Sequence, residues 1–116
     1  MKLKDIASEI YIPIRKITNY ALDLENPNSK DKALMFDKYL GYSQDNYQYL
    51  IEQIERQVLE KDAIPKEIDE YGARYQVDLE ILGNYEGQKE IVRTGWIVRP
   101  NTNVAQLTTL YIKRRK

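Results

Sequence analysis

The chain has 116 residues, 42% of them hydrophobic and 31% charged, with 18 basic and 18 acidic side chains and so no net charge. That suffices for one soluble domain with a modest core, and it excludes wholesale disorder and a nonspecific nucleic-acid coat. With neither Cys nor His, disulfides, thiolate zinc sites, Cys nucleophiles and the usual neutral-pH general base are excluded as well.

The first half reads as helical. Pro13 suits a first helical turn, and Ile14, Ile17, Ala21 and Leu24 follow the helical period. Asn26-Pro27-Asn28-Ser29 breaks the pattern, and Ser29 is placed to cap a second helix from Lys30 to Leu40 with Ala33, Phe36 and Leu40 inward. Gly41 supplies a left-handed stop. Ser43 then caps a third helix, roughly Gln44 to Leu59, with Tyr47, Leu50, Ile51, Ile54 and Val58 on its buried side. Lys61 to Glu70, with Pro65, reads as a polar linker.

From Ala73 the period becomes two. Tyr75, Val77, Leu79 and Ile81 alternate with Arg74, Gln76, Asp78 and Glu80. Gly83 to Gly87 forms a hairpin turn, and the partner strand, about Lys89 to Arg99, sets Val92, Trp96 and Val98 against Arg93, Gly95 and Ile97. Pro100 to Asn103 turns again into a last strand, about Gln106 to Lys113. The expected fold is α+β, with three N-terminal helices on one face of a C-terminal antiparallel sheet of three or four strands. It forms a single domain over 1–116, with a helical half at about 12–60 and a sheet half at about 72–113.

Charge divides along the chain. Residues 1–87 carry 11 basic and 17 acidic side chains, a net −6, whereas residues 88–116 carry 7 and 1, a net +6. A basic sheet end suits a polyanion; the alternative is a solvated tail, Lys113-Arg114-Arg115-Lys116. Alternation places Arg74, Arg93, Thr109, Tyr111 and Lys113 on the sheet face opposite the helices. Paired guanidiniums grip phosphate and stabilise charge developing on phosphorus, Tyr relays a proton, and Thr donates to a phosphoryl oxygen. These four, Arg74, Arg93, Thr109 and Tyr111, are the candidate catalytic residues. Lys32, Thr94, Lys113 and Tyr75 are candidate substrate-binding residues. The competing account is ordinary exposed strand residues, ion-paired across strands with Asp78 or Glu80. Ten tyrosines against one Phe offer rings for base stacking, or serve as core and rim filler. Gly-rich phosphate loops and metal-ligand spacings are absent from the sequence, so no metal and no cofactor is expected. No apolar run spans a bilayer and Met1 to Asp5 lacks a signal-peptide core, which points to action in the cytoplasm with no membrane partner.

Several short motifs carry a family likeness. Ile12-Pro13, Lys16, Tyr20 and Leu22 match I-P-x-x-K-x-x-x-Y-x-L. Lys32-Ala33, Phe36 and Gly41-Tyr42 match K-A-x-x-F-x-x-x-G-[FY] with one residue extra. Gly72, Arg74-Tyr75 and Val77 match G-x-R-Y-x-V; Val92-Arg93-Thr94 and Trp96-Ile97 match [VI]-R-T-x-W-I; Leu107, Thr109 and Tyr111 match L-x-T-x-Y. Across about 12–113 the chain resembles a family of small bacterial and phage-associated domains of uncharacterised function, found alone or at the C-termini of larger, toxin-like proteins. More loosely, it resembles the barnase–EndoU–colicin–RelE ribonuclease toxins, departing from them at Ile112, where a proline is usual. The resemblance implies metal-independent cleavage of RNA, tRNA included, by 2′-hydroxyl attack. It also implies a cognate immunity protein or antitoxin, delivery as the tail of a larger effector, and no DNA specificity. A noncatalytic phage- or antitoxin-like module, docking a protein on the same face, is the alternative.

Overall fold

A computed structural model describes residues 1–114; Arg115 and Lys116 of the basic tail lie outside the described residues. Five strands form one sheet in the order β1-β5-β4-β3-β2, with β1 Glu9–Tyr11, β2 Ile64–Asp69, β3 Gly72–Leu82, β4 Lys89–Val98 and β5 Val104–Ile112. β1 runs parallel to β5 and the other pairs are antiparallel. This corrects the expected architecture. The sheet is mixed and five-stranded, its first strand follows a 3-10 turn at Leu3–Asp5 but precedes every α-helix, and a second strand occupies the supposed linker, so helices and strands are interspersed. The class remains α+β.

Both missed strands are edges. β2 is exposed at all six residues and so has no buried face to impose a period of two. Pro65 and a bulge between Pro65 and Ile68 suit an edge strand, where a missing N–H costs nothing and further pairing is discouraged. β1 is three residues long and pairs with residues 104–106, a contact that no local pattern encodes.

The helices also differ from expectation. α1 is one turn, Ile14–Lys16, and continues as a π turn, Ile17–Ala21. Ile17, Ala21 and Leu22 reach the core while Ile14 and Leu24 stay exposed. α2 spans Lys30–Leu40 with Ala33, Phe36 and Leu40 buried, and Gly41 ends it at φ 69°, the left-handed conformation that glycine adopts without strain. Ser29 spends its hydroxyl on the Tyr20 carbonyl instead of capping α2. α3 begins at Gln48, later than expected, because the Asn46 side chain folds back to accept from the Ser43 amide at 2.7 Å. It ends at Gln57 and passes into a 3-10 turn, Val58–Glu60.

α2 packs against β4 and β5, and α3 against β3. The shared core holds Phe36, Leu40, Leu50 and Ile54 from the helices and Val77, Leu79, Ile81, Val92, Trp96, Leu107 and Leu110 from the sheet. Leu107 and Leu110 are three residues apart, which in a regular strand would send them to opposite faces. A register shift lets both turn inward: Gly95 faces Thr109, yet Trp96 faces Leu107, leaving Thr108 as the extra residue of a bulge. The opposite face of the sheet is left for a site. Among the described residues no helix is long and apolar enough to cross a membrane.

Candidate functional site

Strand register arranges the outer face as three rows. Arg74, Ile97 and Gln106 form the first; Gln76, Gly95 and Thr109 form the second; Asp78, Arg93 and Tyr111 form the third. Gly95 is the bare centre. A Cβ built there would lie 2.9 Å from Thr109 Cγ2 and 3.3 Å from Thr108 Oγ1, so the glycine keeps a floor open between flanking side chains. An open depression of about 190 Å³ lies over it, lined by Lys66, Arg74, Gln76, Arg93, Thr109 and Tyr111 among others. All four candidate catalytic residues therefore border one hollow. Arg74 and Arg93 do not sit side by side, however. They flank the Gly95 row, each two residues along its strand, roughly 7 Å of rise away.

Both guanidiniums have carboxylate partners. Arg93 donates from Nε to Asp78 Oδ1 at 3.0 Å and from Nη2 to Asp78 Oδ2 at 3.1 Å, a two-point contact that fixes its plane. The Asp78 pair, and next to it the Tyr111 hydroxyl, hold the Arg93 pKa above its ordinary value, so the charge is permanent. Arg74 donates from Nη1 to Asp69 Oδ2 at 2.6 Å. The Tyr71 amide, followed by Arg74, keeps the Asp69 carboxyl below its usual range. Lys113 Nζ lies 3.8 Å from Asp78 Oδ2 and so supports the same carboxylate from just past the end of β5. Lys66 of β2 was hidden in the supposed linker. It joins the rim with no ion-pair partner among the described residues.

The remaining predicted binding residues divide. Lys32 of α2 sets its Nζ 5.2 Å from the Tyr20 ring centroid and 5.3 Å from that of Tyr111, a double cation–π contact that ties α2 to the site. Tyr75 faces inward opposite Trp96 and packs against the core. Thr94 is fully buried; its hydroxyl donates to the Val77 carbonyl at 2.6 Å and accepts from Trp96 Nε1 at 2.7 Å. Its place next to Arg93 already implied this, since neighbours in a strand face opposite ways. Thr94 thus satisfies the polar edge of the one Trp in the chain. Thr94→Val is expected to cost about 1–3 kcal/mol by orphaning the indole N–H, read by urea denaturation followed through Trp96 fluorescence. An unchanged midpoint would refute that role.

No group of three or more Asp and Glu side chains among the described residues is disposed to hold a metal ion. The face offers instead guanidinium and ammonium groups, a phenol, a carboxylate and threonine hydroxyls around a bare floor.

Residues 2–114 match the model of a family described as a domain of unknown function, DUF6883, and the chain belongs to that family. The likeness read from the motifs to a small uncharacterised domain family holds at that level. No match is found among the curated proteins or the solved structures.

Proposed function

We propose that this domain is a metal-independent RNA endonuclease acting on the open sheet face. The observation that carries the reading is the third row, where a carboxylate, a guanidinium and a phenol stand side by side on three adjacent strands with Arg93 in the middle. Strands lie about 4.8 Å apart, so Asp78 and Tyr111 flank a phosphate seated above Arg93 and Gly95. In this mechanism Asp78 takes the proton of the 2′-hydroxyl as its oxygen bonds to phosphorus. Arg93, with Arg74 from the other side, stabilises the charge gathered on the equatorial oxygens. Thr109 orients one of those oxygens. Tyr111 gives its proton to the departing 5′-oxygen as the P–O5′ bond breaks, leaving a 2′,3′-cyclic phosphate and a 5′-hydroxyl. Lys66, Lys113 and Lys32 supply further positive charge.

A cognate immunity protein or antitoxin would complete the system. The depression's cations call for an acidic partner on this face, and cytoplasmic RNA would be the target, whether the domain is made there or delivered as an effector's tail.

The test is incubation of purified protein with total RNA in excess EDTA, with product ends assigned. Cleavage yielding cyclic phosphates is expected, and Tyr111→Phe should slow it by about 10²–10⁴. Intact RNA at every protein concentration, with no growth defect on expression, would sink the proposal. One observation favours a second reading, a noncatalytic protein-docking module: both arginines are already engaged by carboxylates, as structural cross-strand pairs would be. That reading predicts a folded, inert protein in the same assay.

A further inference from the structure

A second hollow, about 380 Å³, opens between the end of β1 and the π turn, lined by Tyr11, Arg15, Lys16, Asn19, Tyr20 and Gln106 among others. Two features join it to the depression over Gly95. Gln106 belongs to the first row of the sheet face, paired with both Ile97 and Tyr11. Lys32 lies over Tyr20, which lines the second hollow, and over Tyr111, which lines the first. Lys66, Lys32, Arg15 and Lys16 therefore run from one hollow to the other, and none of the four is ion-paired among the described residues. In a chain with no net charge, such a run of unneutralised cations is a local feature that global charge balance hides.

The π turn is held open deliberately. The Leu22 amide bonds to the Ile17 carbonyl, five residues back, and three successive carbonyls each accept from a distant side chain: Thr18 from Gln44, Asn19 from Asn26, and Tyr20 from Ser29. Turns of this kind are rare and recur at functional sites. Pinning its backbone from outside presents Asn19 and Tyr20 in a fixed place before any ligand arrives, which lowers the cost of binding.

We infer that this second hollow is a nucleotide subsite for single-stranded RNA, receiving the residue next to the phosphate seated over Gly95. Arg15 and Lys16 take the flanking phosphate. The exposed Tyr11 ring and Tyr20 offer stacking faces to the base, and Asn19 and Gln106 provide donors and acceptors at its edge. The inference rests on the proposed RNA reading of the central site but not on catalysis there.

The experiment uses 2′-O-methyl oligonucleotides, which that chemistry cannot cut, with fluorescence anisotropy as readout. Arg15 and Lys16 are exposed, so the double variant Arg15→Ala/Lys16→Ala should fold. It should bind a labelled hexanucleotide about tenfold more weakly, with the salt slope reduced by roughly one for the lost phosphate contacts. Competition by a dinucleotide, which spans the central phosphate alone, should be unchanged. Tyr11→Ser should weaken hexanucleotide binding without changing the salt slope. Binding that follows this pattern while all-ribose RNA stays uncut would remove the catalytic reading and leave the subsite standing. Hexanucleotide affinity and salt slope equal in wild type and double variant, or no RNA binding at all, would overturn the subsite, even where wild type cleaves RNA, and leave the hollow to a protein partner.

Discussion

Replacing Arg93 by Ala should lower RNA cleavage by about 10²–10³ while costing the fold little. The pair with Asp78 is partly exposed, its side chains 26% and 29% accessible, and exposed ion pairs contribute at most about 1 kcal/mol. Lys113 remains 3.8 Å from the carboxylate, so Asp78 is not stranded when Arg93 goes. A large loss of activity with a small loss of stability is what a transition-state contact predicts. The charge-reversed double variant, Asp78→Arg with Arg93→Asp, sharpens the contrast. It rebuilds a cross-strand pair, and stability should recover, but the cation then sits at the edge of the row instead of its middle. Activity should therefore stay lost. Recovery of cleavage along with stability would show that the row is a structural brace and that the chemistry lies elsewhere.

Asp78→Asn separates the two duties of the carboxylate. It removes the charge that occupies Arg93 and so should tighten binding of an uncleavable RNA severalfold. The same change removes the group assigned to the 2′-hydroxyl proton, so cleavage should fall by about 10²–10⁴. Tighter binding with slower turnover is a combination that a purely electrostatic role for Asp78 does not produce.

Much of this site was visible in the residues, and the part that was not has a physical reason. Alternation from Arg74 to Ile81 and from Val92 to Val98 assigns faces because each strand buries one side, and the hairpin at Gly83–Gly87 fixes their antiparallel order. The helix α2 was legible from Ala33, Phe36, Leu40 and Gly41, all local signals. Lys66 was hidden since an edge strand with no buried face carries no periodic signature. The i, i+3, i+7 spacing of Ile14, Ile17 and Ala21 fits a regular helix and so gives no sign of how the π turn presents Arg15, Lys16 and Asn19. What interrupts that helix is a set of side-chain bonds from Asn26, Ser29 and Gln44, which lie 7, 9 and 26 residues beyond the carbonyls they reach and which hydrophobic periodicity does not encode. The bulge at Thr108 was equally out of reach, although Leu107 and Leu110 at a spacing of three hinted that one strand must change faces.

The row of Asp78, Arg93 and Tyr111 depends on register, and the far end of β3 is held by a buried polar node whose removal should have the largest effect on stability. Gln53 of α3 donates to the Leu82 carbonyl at 2.9 Å and accepts from the Leu82 amide at 2.7 Å, and its amide also reaches the Tyr42 hydroxyl at 2.9 Å. Tyr42, fully buried, donates to the same carbonyl at 2.6 Å. Gln53→Leu leaves the Leu82 N–H without its partner and strips the Tyr42 hydroxyl of a donor. The expected cost is about 2–4 kcal/mol, or a fall in Tm of roughly 10 °C or more for a domain of this size. Tyr42 gives the node a pH signature. Burial pushes its pKa from 10.0 to about 12, so the folded state holds a proton that the unfolded state releases. Its contribution is fully present below pH 10 and is lost as pH rises to about 12. Tyr42→Phe lacks that proton and should lose stability less steeply than wild type across this window. Parallel pH profiles for the two proteins would mean that the phenol is solvated and the node looser than its hydrogen bonds require.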